Sequence, residues 1–279
     1  MKNFRIIPRL DIKNGLLVKG INLEGLRVLG NPFDFAKKYY LDGADEICYV
    51  DIVSSLYGTK NLSKFIKKTA ESNFIPLTVG GGIKNLNDID EILLNGADKI
   101  CLNSALIKNI KLLDLASKKF GSSTITAIVE ITKIDDKLFI TSNNGRELHY
   151  INPFDWIRKL QDQGAGEIMI TSVVDEGLKK GFSLKILDNL SKILKIPFLI
   201  HGGLGHKDHI YDIAINSSAS GVLISSLFHY NYLYSSNLNF KNKIGNLDYI
   251  YNTKKLFNKT NIFLKIKSFL KKKKINVRL

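Results

Sequence analysis

Two rhythms of apolar positions alternate along the chain. Short runs of alternating or β-branched residues predict strands, and longer stretches with apolar residues three and four apart predict helices. The first strand is Arg5 to Ile12, with Asp11 at its C-terminal end. After the Asn14-Gly15 turn, Leu16 to Ile21 reads as a hairpin arm carrying Lys19. Pro32 opens a helix that runs to Leu41. The pattern continues with strand Glu46–Ile52, helix Leu62–Ser72, the apolar run Phe74–Leu77 leading into Thr78–Ile83, helix Asn85–Asn95 and strand Lys99–Leu102. Then the grammar restarts: helix Lys108–Phe120, strand Thr124–Ile131, hairpin arm Leu138–Thr141, helix Pro153–Asp162 and strand Glu167–Ser172. Helix Leu184–Leu194, strand Phe198–His201, helix His206–Asn216 and strand Gly221–Ile224 complete it. Strict alternation of this kind predicts an α/β fold, a closed parallel (β/α)8 TIM barrel with right-handed crossovers.

The restart is a repeat. Ile196 to Leu204 matches Ile75 to Ile83 and Gly164-Ala165-Gly166-Glu167 matches Gly43-Ala44-Asp45-Glu46, both at an offset of 121 residues. Ser225 to Phe228 matches Asn103 to Leu106 at an offset of 122. A constant offset over three landmarks predicts a single domain made of two duplicated half-barrels, about 4–121 and 122–232. Residues 230–258 are rich in Asn, Tyr, Ser and Lys and read as an irregular insertion. A basic C-terminal helix follows over about 260–274.

Length fits this architecture: 279 residues against ~250 for one barrel. No apolar run reaches the ~18 residues that span a bilayer, and strand-like sequence begins at Phe4, so neither a membrane partner nor a signal peptide is expected and the location expected is cytoplasmic. Cys48 and Cys101 lie in apolar strands without metal-ligand spacing, which predicts reduced thiols and no bound metal or other cofactor. From residue 239 onward, twelve Lys and Arg face the single acid Asp248, so of the net charge of +15 the first 238 residues carry only +4. The barrel is therefore not basic and a nucleic-acid partner is not expected. Lys271 to Lys274 read as a solvated helix face, with polyanion binding the alternative.

The chemistry follows from where the repeat puts its small residues. An isolated Gly80-Gly81-Gly82 could be only a tight strand-to-helix turn. In duplicate, at strand C-termini, glycine N–H groups and small hydroxyls suit a phosphate at each of two seats. The first seat is Gly81 and Gly82 with Asn103 and Ser104, and the second is Gly202 and Gly203 with Ser225 and Ser226. Between them Asp11 and Glu130 end equivalent strands of the two halves, an acid and a base suited to proton transfer. The plainer readings are an Asp11–Lys19 salt bridge and a structural Glu130. At the other end of the barrel the period of two turns Arg5, Ile7 and Arg9 inward with Asp11. The matching bottom positions are Glu46, Lys99 and Glu167. Four charges inside a barrel need partners, so Arg5, Glu46, Lys99 and Glu167 form either a structural ring or a gate over an axial channel.

Arg5-Ile6-Ile7-Pro8, Leu10-Asp11, Val18-Lys19-Gly20, Asp51-Ile52, Thr78–Ile83, Gly96–Lys99, Gly164–Glu167, His229 and the terminal Asn276–Leu279 resemble the cyclase subunit of imidazole glycerol phosphate synthase. The similarity runs from residue 4 to about 232 and resumes in the last twenty residues. The resemblance implies a histidine-pathway lyase in a heterodimer with a glutaminase subunit, whose ammonia passes the gate and travels up the barrel. There it would convert a bisphosphorylated ribulosyl-formimino aminoimidazole carboxamide ribonucleotide to imidazole glycerol phosphate and aminoimidazole carboxamide ribonucleotide. By position, Asp11 matches one catalytic aspartate, and Glu130 stands where the second is expected. Lys19, Asp51, Gly82, Asn103 and Ser104 match substrate contacts, and Thr171 and Gly177 complete the candidate set. Asp98 matches the glutaminase-facing surface.

The departures lie on the mouth side. Glu130 carries an extra methylene, Arg9 replaces a small residue and His201 a small hydroxyl. In loop 173–181, Val174 and Glu176 stand for aspartates and Leu178 for threonine, so this loop is expected to have lost polar groups. The alternatives are a paralogue that channels ammonia for amidination of a surface-polysaccharide sugar, the related phosphoribosyl-type isomerase, which needs no gate, and a non-catalytic scaffold.

Overall fold

Asn31-Pro32-Phe33-Asp34 and Asn152-Pro153-Phe154-Asp155 are one tetrapeptide repeated 121 residues on, and each copy starts a helix in the same way. The Asn side chain accepts from the N–H two residues later at 2.9 Å in both copies. Proline takes the first turn, where its missing N–H is not needed. This echo belongs with the repeat and was not among the landmarks read from the sequence.

The computed structural model describes residues 3–53, 62–235 and 261–279. The first half runs β1 (Arg5–Lys13), β2 (Leu16–Ile21), β3 (Glu24–Gly30), α1 (Pro32–Leu41), β4 (Ile47–Asp51), α2 (Leu62–Ser72), β5 (Leu77–Gly80), α3 (Leu86–Leu94), β6 (Lys99–Leu102), α4 (Ser104–Lys108) and α5 (Lys111–Phe120). The second runs β7 (Ile125–Ile134), β8 (Lys137–Ser142), β9 (Glu147–His149), α6 (Pro153–Asp162), β10 (Glu167–Ser172), α7 (Leu184–Ile193), β11 (Phe198–His201), α8 (Lys207–Asn216), β12 (Gly221–Ile224) and α9 (Ser226–Ser235). The chain ends with α10 (Ile262–Lys272). Parallel pairing runs β1-β4-β5-β6-β7-β10-β11-β12 and back to β1, closing an eight-stranded barrel.

Three details correct the expectations. Each first strand extends into a three-stranded antiparallel flap, β1-β2-β3 and β7-β8-β9, where a single hairpin arm was expected. The outer arms were missed because Glu24–Gly30 is half exposed and Glu147–His149 is only three residues long. The helix expected over Lys108–Phe120 is broken between α4 and α5 at Asn109, whose extended φ of −151° cannot continue a helix. Residues 230–235 are helical, not irregular; the rest of the expected insertion, 236–258, lies outside the described residues.

Two apolar layers hold the barrel. One lies between strands and helices, and the smaller lies inside: Ile7, Cys48, Cys101, Ile128, Met169, Leu199 and Leu223. Both cysteines are buried and free. Helix α10 covers the wall at α1 and α9, with Phe263 stacked on Phe228 at 4.0 Å between centroids and Ile266 and Leu270 fully buried. Each such side chain contributes roughly 1.5–3 kcal/mol. Among the described residues no helix is long and apolar enough to cross a membrane.

Candidate active site at the barrel mouth

Alternation along β1 puts Arg5, Ile7, Arg9 and Asp11 on the inner face, one above another from the underside to the mouth. At the underside Arg5 contacts Glu46 at 3.0 Å and also Glu167, while Lys99 lies 3.5 Å from Glu46 and 3.3 Å from Glu167. The four charges thus alternate and cancel. Thr78 adds a hydroxyl that donates to Glu46 at 2.5 Å. The Arg5 guanidinium is held above its usual pKa: burial opposes its charge, and Glu167 and then Glu46 more than compensate. Asp98 lies beside this ring, exposed, its carboxylate accepting from the Leu77 N–H at 2.8 Å. Above the ring comes the apolar inner layer, and above that the mouth.

At the mouth the Asp11–Lys19 salt bridge, the plainer alternative for Asp11, is absent. Asp11 pairs with Arg9, Nε to Oδ1 at 2.9 Å, and Lys19 pairs with Glu176 at 2.5 Å. All four side chains are buried. Burial works against the Arg9 charge, and Asp11 above all reverses the effect, so its pKa is raised. Burial would raise Glu176, but Lys19, with His201 and Arg9, draws it down to about 2. Burial holds His201 down to about 4, so its imidazole is neutral near pH 7. Arg9 can only donate, and it lies 3.3 Å from His201 Nδ1, so the ring proton sits on Nε2. That nitrogen faces Glu176 at 3.5 Å and the Ser225 hydroxyl at 3.4 Å. Thr171 closes the network, 3.3 Å from both Arg9 and His201.

In loop 173–181, where Val174 and Leu178 stand for polar residues, Glu176 is the central anion of this network. Arg9, Glu176 and His201 stood out in the sequence only as departures, and the structure makes them one another's partners.

The two seats differ. A cavity of about 280 Å³ opens at the first, lined by Asp51, Gly81, Gly82, Asn103, Ser104 and Glu130, with Asn143 and Asn144. Gly81 lies at φ +102°, and a Cβ there would come 2.1 Å from the Asp51 carbonyl oxygen, so only glycine fits this turn. Ser104 bonds Asn143, the hydroxyl donating to Oδ1 at 2.9 Å. Asn143 and Asn144 were missed by sequence reading; the available signal was that Asn143 is the echo of Asn22, at 121 residues, in the turn of the equivalent flap. At the second seat Gly202, Gly203, Ser225 and Ser226 come together as expected, but with Glu176 and His201 among them only about 10 Å³ remains. That holds one water at most.

Glu130 lies at the first cavity, buried. Its carboxylate accepts from the Gly145 N–H at 2.9 Å and the Thr141 hydroxyl at 3.3 Å. Burial raises its pKa above the usual carboxyl value, against the Gly145 hydrogen bond and the Arg9 charge. The mouth thus holds a carboxylate paired to a guanidinium and a buried carboxyl group whose pKa is raised. A proton acceptor and a proton donor of this kind can serve two steps of one reaction.

Comparison with known proteins shows the family. The sequence profile of the family described as "Histidine biosynthesis protein" matches residues 5–233. The chain is 45% identical over 206 residues to the imidazole glycerol phosphate synthase subunit HisF of Legionella pneumophila, covering 74% of this chain and 97% of that protein. It is 42% identical to the same subunit of Campylobacter concisus (81% of this chain, 89% of that one) and 43% identical to that of Clostridium botulinum (81% and 90%). The chain belongs to the histidine biosynthesis protein family.

Proposed function

We propose that this chain is the cyclase subunit of an imidazole glycerol phosphate synthase. It takes ammonia from a glutaminase partner docked at the underside and, at the mouth, cyclises a bisphosphorylated ribulosyl-formimino aminoimidazole carboxamide ribonucleotide. The products are imidazole glycerol phosphate and aminoimidazole carboxamide ribonucleotide. One observation carries the reading: a charge-neutral ring, an apolar axial layer and a pair of mouth carboxylates lie in sequence along the inside of one barrel. An isomerase working on a single substrate needs the carboxylates and both phosphate seats but has no use for the ring. The relatives named as this synthase subunit support the same reaction.

In this reading the substrate's first phosphate occupies the cavity at Gly81, Gly82, Asn103 and Ser104. Ammonia is a neutral molecule, and the apolar layer favours it over ammonium, whose charge would be costly to desolvate there. Adding ammonia to the substrate carbonyl, closing the imidazole ring and cleaving the C–N bond each require proton movement. Asp11, paired with Arg9, accepts a proton from nitrogen; Glu130, whose pKa is raised by burial, delivers one to the departing oxygen or nitrogen. The test is to give the purified chain the bisphosphate with an ammonium salt, and in parallel with glutamine and a glutaminase subunit, and to follow imidazole glycerol phosphate. Turnover in both is expected; none in either rejects the proposal.

A further inference from the structure

Lys19 and Glu176 meet at 2.5 Å, and Arg9 and Asp11 at 2.9 Å, in a region closed to solvent. With His201 neutral, the buried network already has as many positive as negative charges. A phosphate arriving at Gly202, Gly203, Ser225 and Ser226 would add up to two negative charges beside the Glu176 carboxylate. It would also find room for about one water molecule. Like charges at contact distance in a buried site exclude one another unless one is neutralised or leaves.

We propose that Glu176 determines the specificity of the second seat by serving as its internal anion, holding Lys19 in place of the substrate's distal phosphate, which binds only by displacing it. The inference rests on the cyclase reading, in which the substrate carries a phosphate at each end.

Glu176 is held in this position by the fold. Its carbonyl accepts from the Asn22 N–H at 2.8 Å, and the Asn22 side chain donates to the Val174 carbonyl at 3.0 Å, tying loop 173–181 to the first flap. On the other side the Gly181 N–H donates to the Gly203 carbonyl at 2.8 Å. Gly177, at φ +81°, lies so close to the flap that a Cβ would come 2.9 Å from the Gly20 carbonyl oxygen. The loop is therefore fastened both to the flap that carries Lys19 and to the glycine turn of the seat. Displacing Glu176 frees Lys19 without requiring Lys19 to move to a different element. Lys179, which lines the seat and lies 4.9 Å over the Tyr230 ring, adds a cation from the loop that carries Glu176. At the first seat the lining carboxylates of Asp51 and Glu130 leave a cavity of about 280 Å³ open. The two ends of the substrate are thus read differently: one by an open cradle, the other by exchange of one anion for another.

The experiment is calorimetric titration of the full-length protein with two probes, the bisphosphorylated substrate and aminoimidazole carboxamide ribonucleotide, which has a single phosphate. Glu176→Gln removes the charge and keeps the shape. It should bind the bisphosphate about tenfold more tightly than the wild type and leave the monophosphate within about twofold. The double variant K19M/E176Q, which lacks the Lys19 charge that the distal phosphate would take over, should lose that gain. If E176Q fails to fold, Glu176→Asp, which withdraws the carboxylate by one methylene, should show a smaller gain confined to the bisphosphate. Equal or weaker bisphosphate binding in these variants, with both probes still bound by the wild type, overturns the inference and leaves the cyclase reading standing. No binding of either probe by any of the proteins overturns both.

Discussion

Glu130 and Glu176 are both buried glutamates at one barrel mouth, and their surroundings pull them in opposite directions. Burial of Glu130 outweighs the Gly145 hydrogen bond and the Arg9 charge, so its pKa is raised from 4.5; Glu176 sits on Lys19 and its pKa is lowered from 4.5 to about 2. Their contributions to stability against pH therefore have opposite signs. A carboxyl with a raised folded pKa costs nothing below pH 4.5, where it is protonated folded and unfolded, and destabilises increasingly as pH rises through the window up to its folded value. One with a lowered pKa stabilises above 4.5 and loses that stabilisation as pH falls towards 2. Thermal melts should show Glu130→Gln gaining on the wild type as pH rises from 4.5. Glu176→Gln should be least stable relative to the wild type above 4.5 and recover towards it as pH falls to 2. A Glu130→Gln difference that does not change with pH would contradict the assignment. The extended reach of Glu130 also fits its site, because the Gly145 N–H sits at the end of that reach. Glu130→Asp should thus lower kcat, by up to about a hundredfold for an ångström of misplacement, rather than improve it. Asp11 and Glu130 were legible in the sequence because strand ends locate themselves. Arg9–His201 and Lys19–Glu176 were not, because those partners are 192 and 157 residues apart and composition cannot say which buried cation meets which anion.

At the scale of elements, the basic C-terminal helix divides into two parts that charge counting merges. Lys271 to Lys274 are exposed, as a solvated face requires. Lys267, one turn earlier, is 2% exposed and donates to Asp45 at 2.6 Å and to the Gly43 carbonyl at 2.7 Å. Asp45 in turn accepts from the Ile6 N–H at 2.8 Å and lies 3.2 Å from Arg278, so one carboxylate joins α10, β1 and the C-terminus. The echo of Asp45 in the second half is Gly166, where a Cβ would come 2.0 Å from the Ser122 carbonyl oxygen. Only one half can therefore anchor a terminal helix, which is a physical reason for the asymmetry of an otherwise duplicated barrel. Lys267→Ala should cost about 3 kcal/mol, the lower end for breaking a buried pair, since Arg278 still faces Asp45. The urea midpoint reads this; Lys272→Ala, on the exposed face, should leave it unchanged. The helix itself was legible from its periodicity, whereas its anchor depends on a contact across more than two hundred residues.

Across the whole molecule, strict βα alternation and the 121-residue echo were enough to specify a barrel, since a closed ring is the arrangement that buries eight parallel strands on both faces. They also located the four charges of the underside, because inward positions follow from the period of two. What they could not supply is how the two ends of the barrel communicate, and the axial layer between ring and mouth bears on that. Ile7, Met169, Leu199 and Leu223 offer ammonia no competing hydrogen bonds, so in the proposed function the ring at its base is the point of control. Arg5 and Lys99 both depend on Glu167 and Glu46; Glu167→Gln leaves two cations to share one carboxylate and so disturbs the ring without emptying it. Ammonium salts in solution reach the substrate through the open mouth and do not need the ring. Glu167→Gln should thus lower glutamine-driven turnover several-fold in the complex with the glutaminase while ammonium-driven turnover stays near the wild-type rate. Equal losses in both would mean that the ring supports the fold alone, and unchanged rates in both would remove it from the path of ammonia.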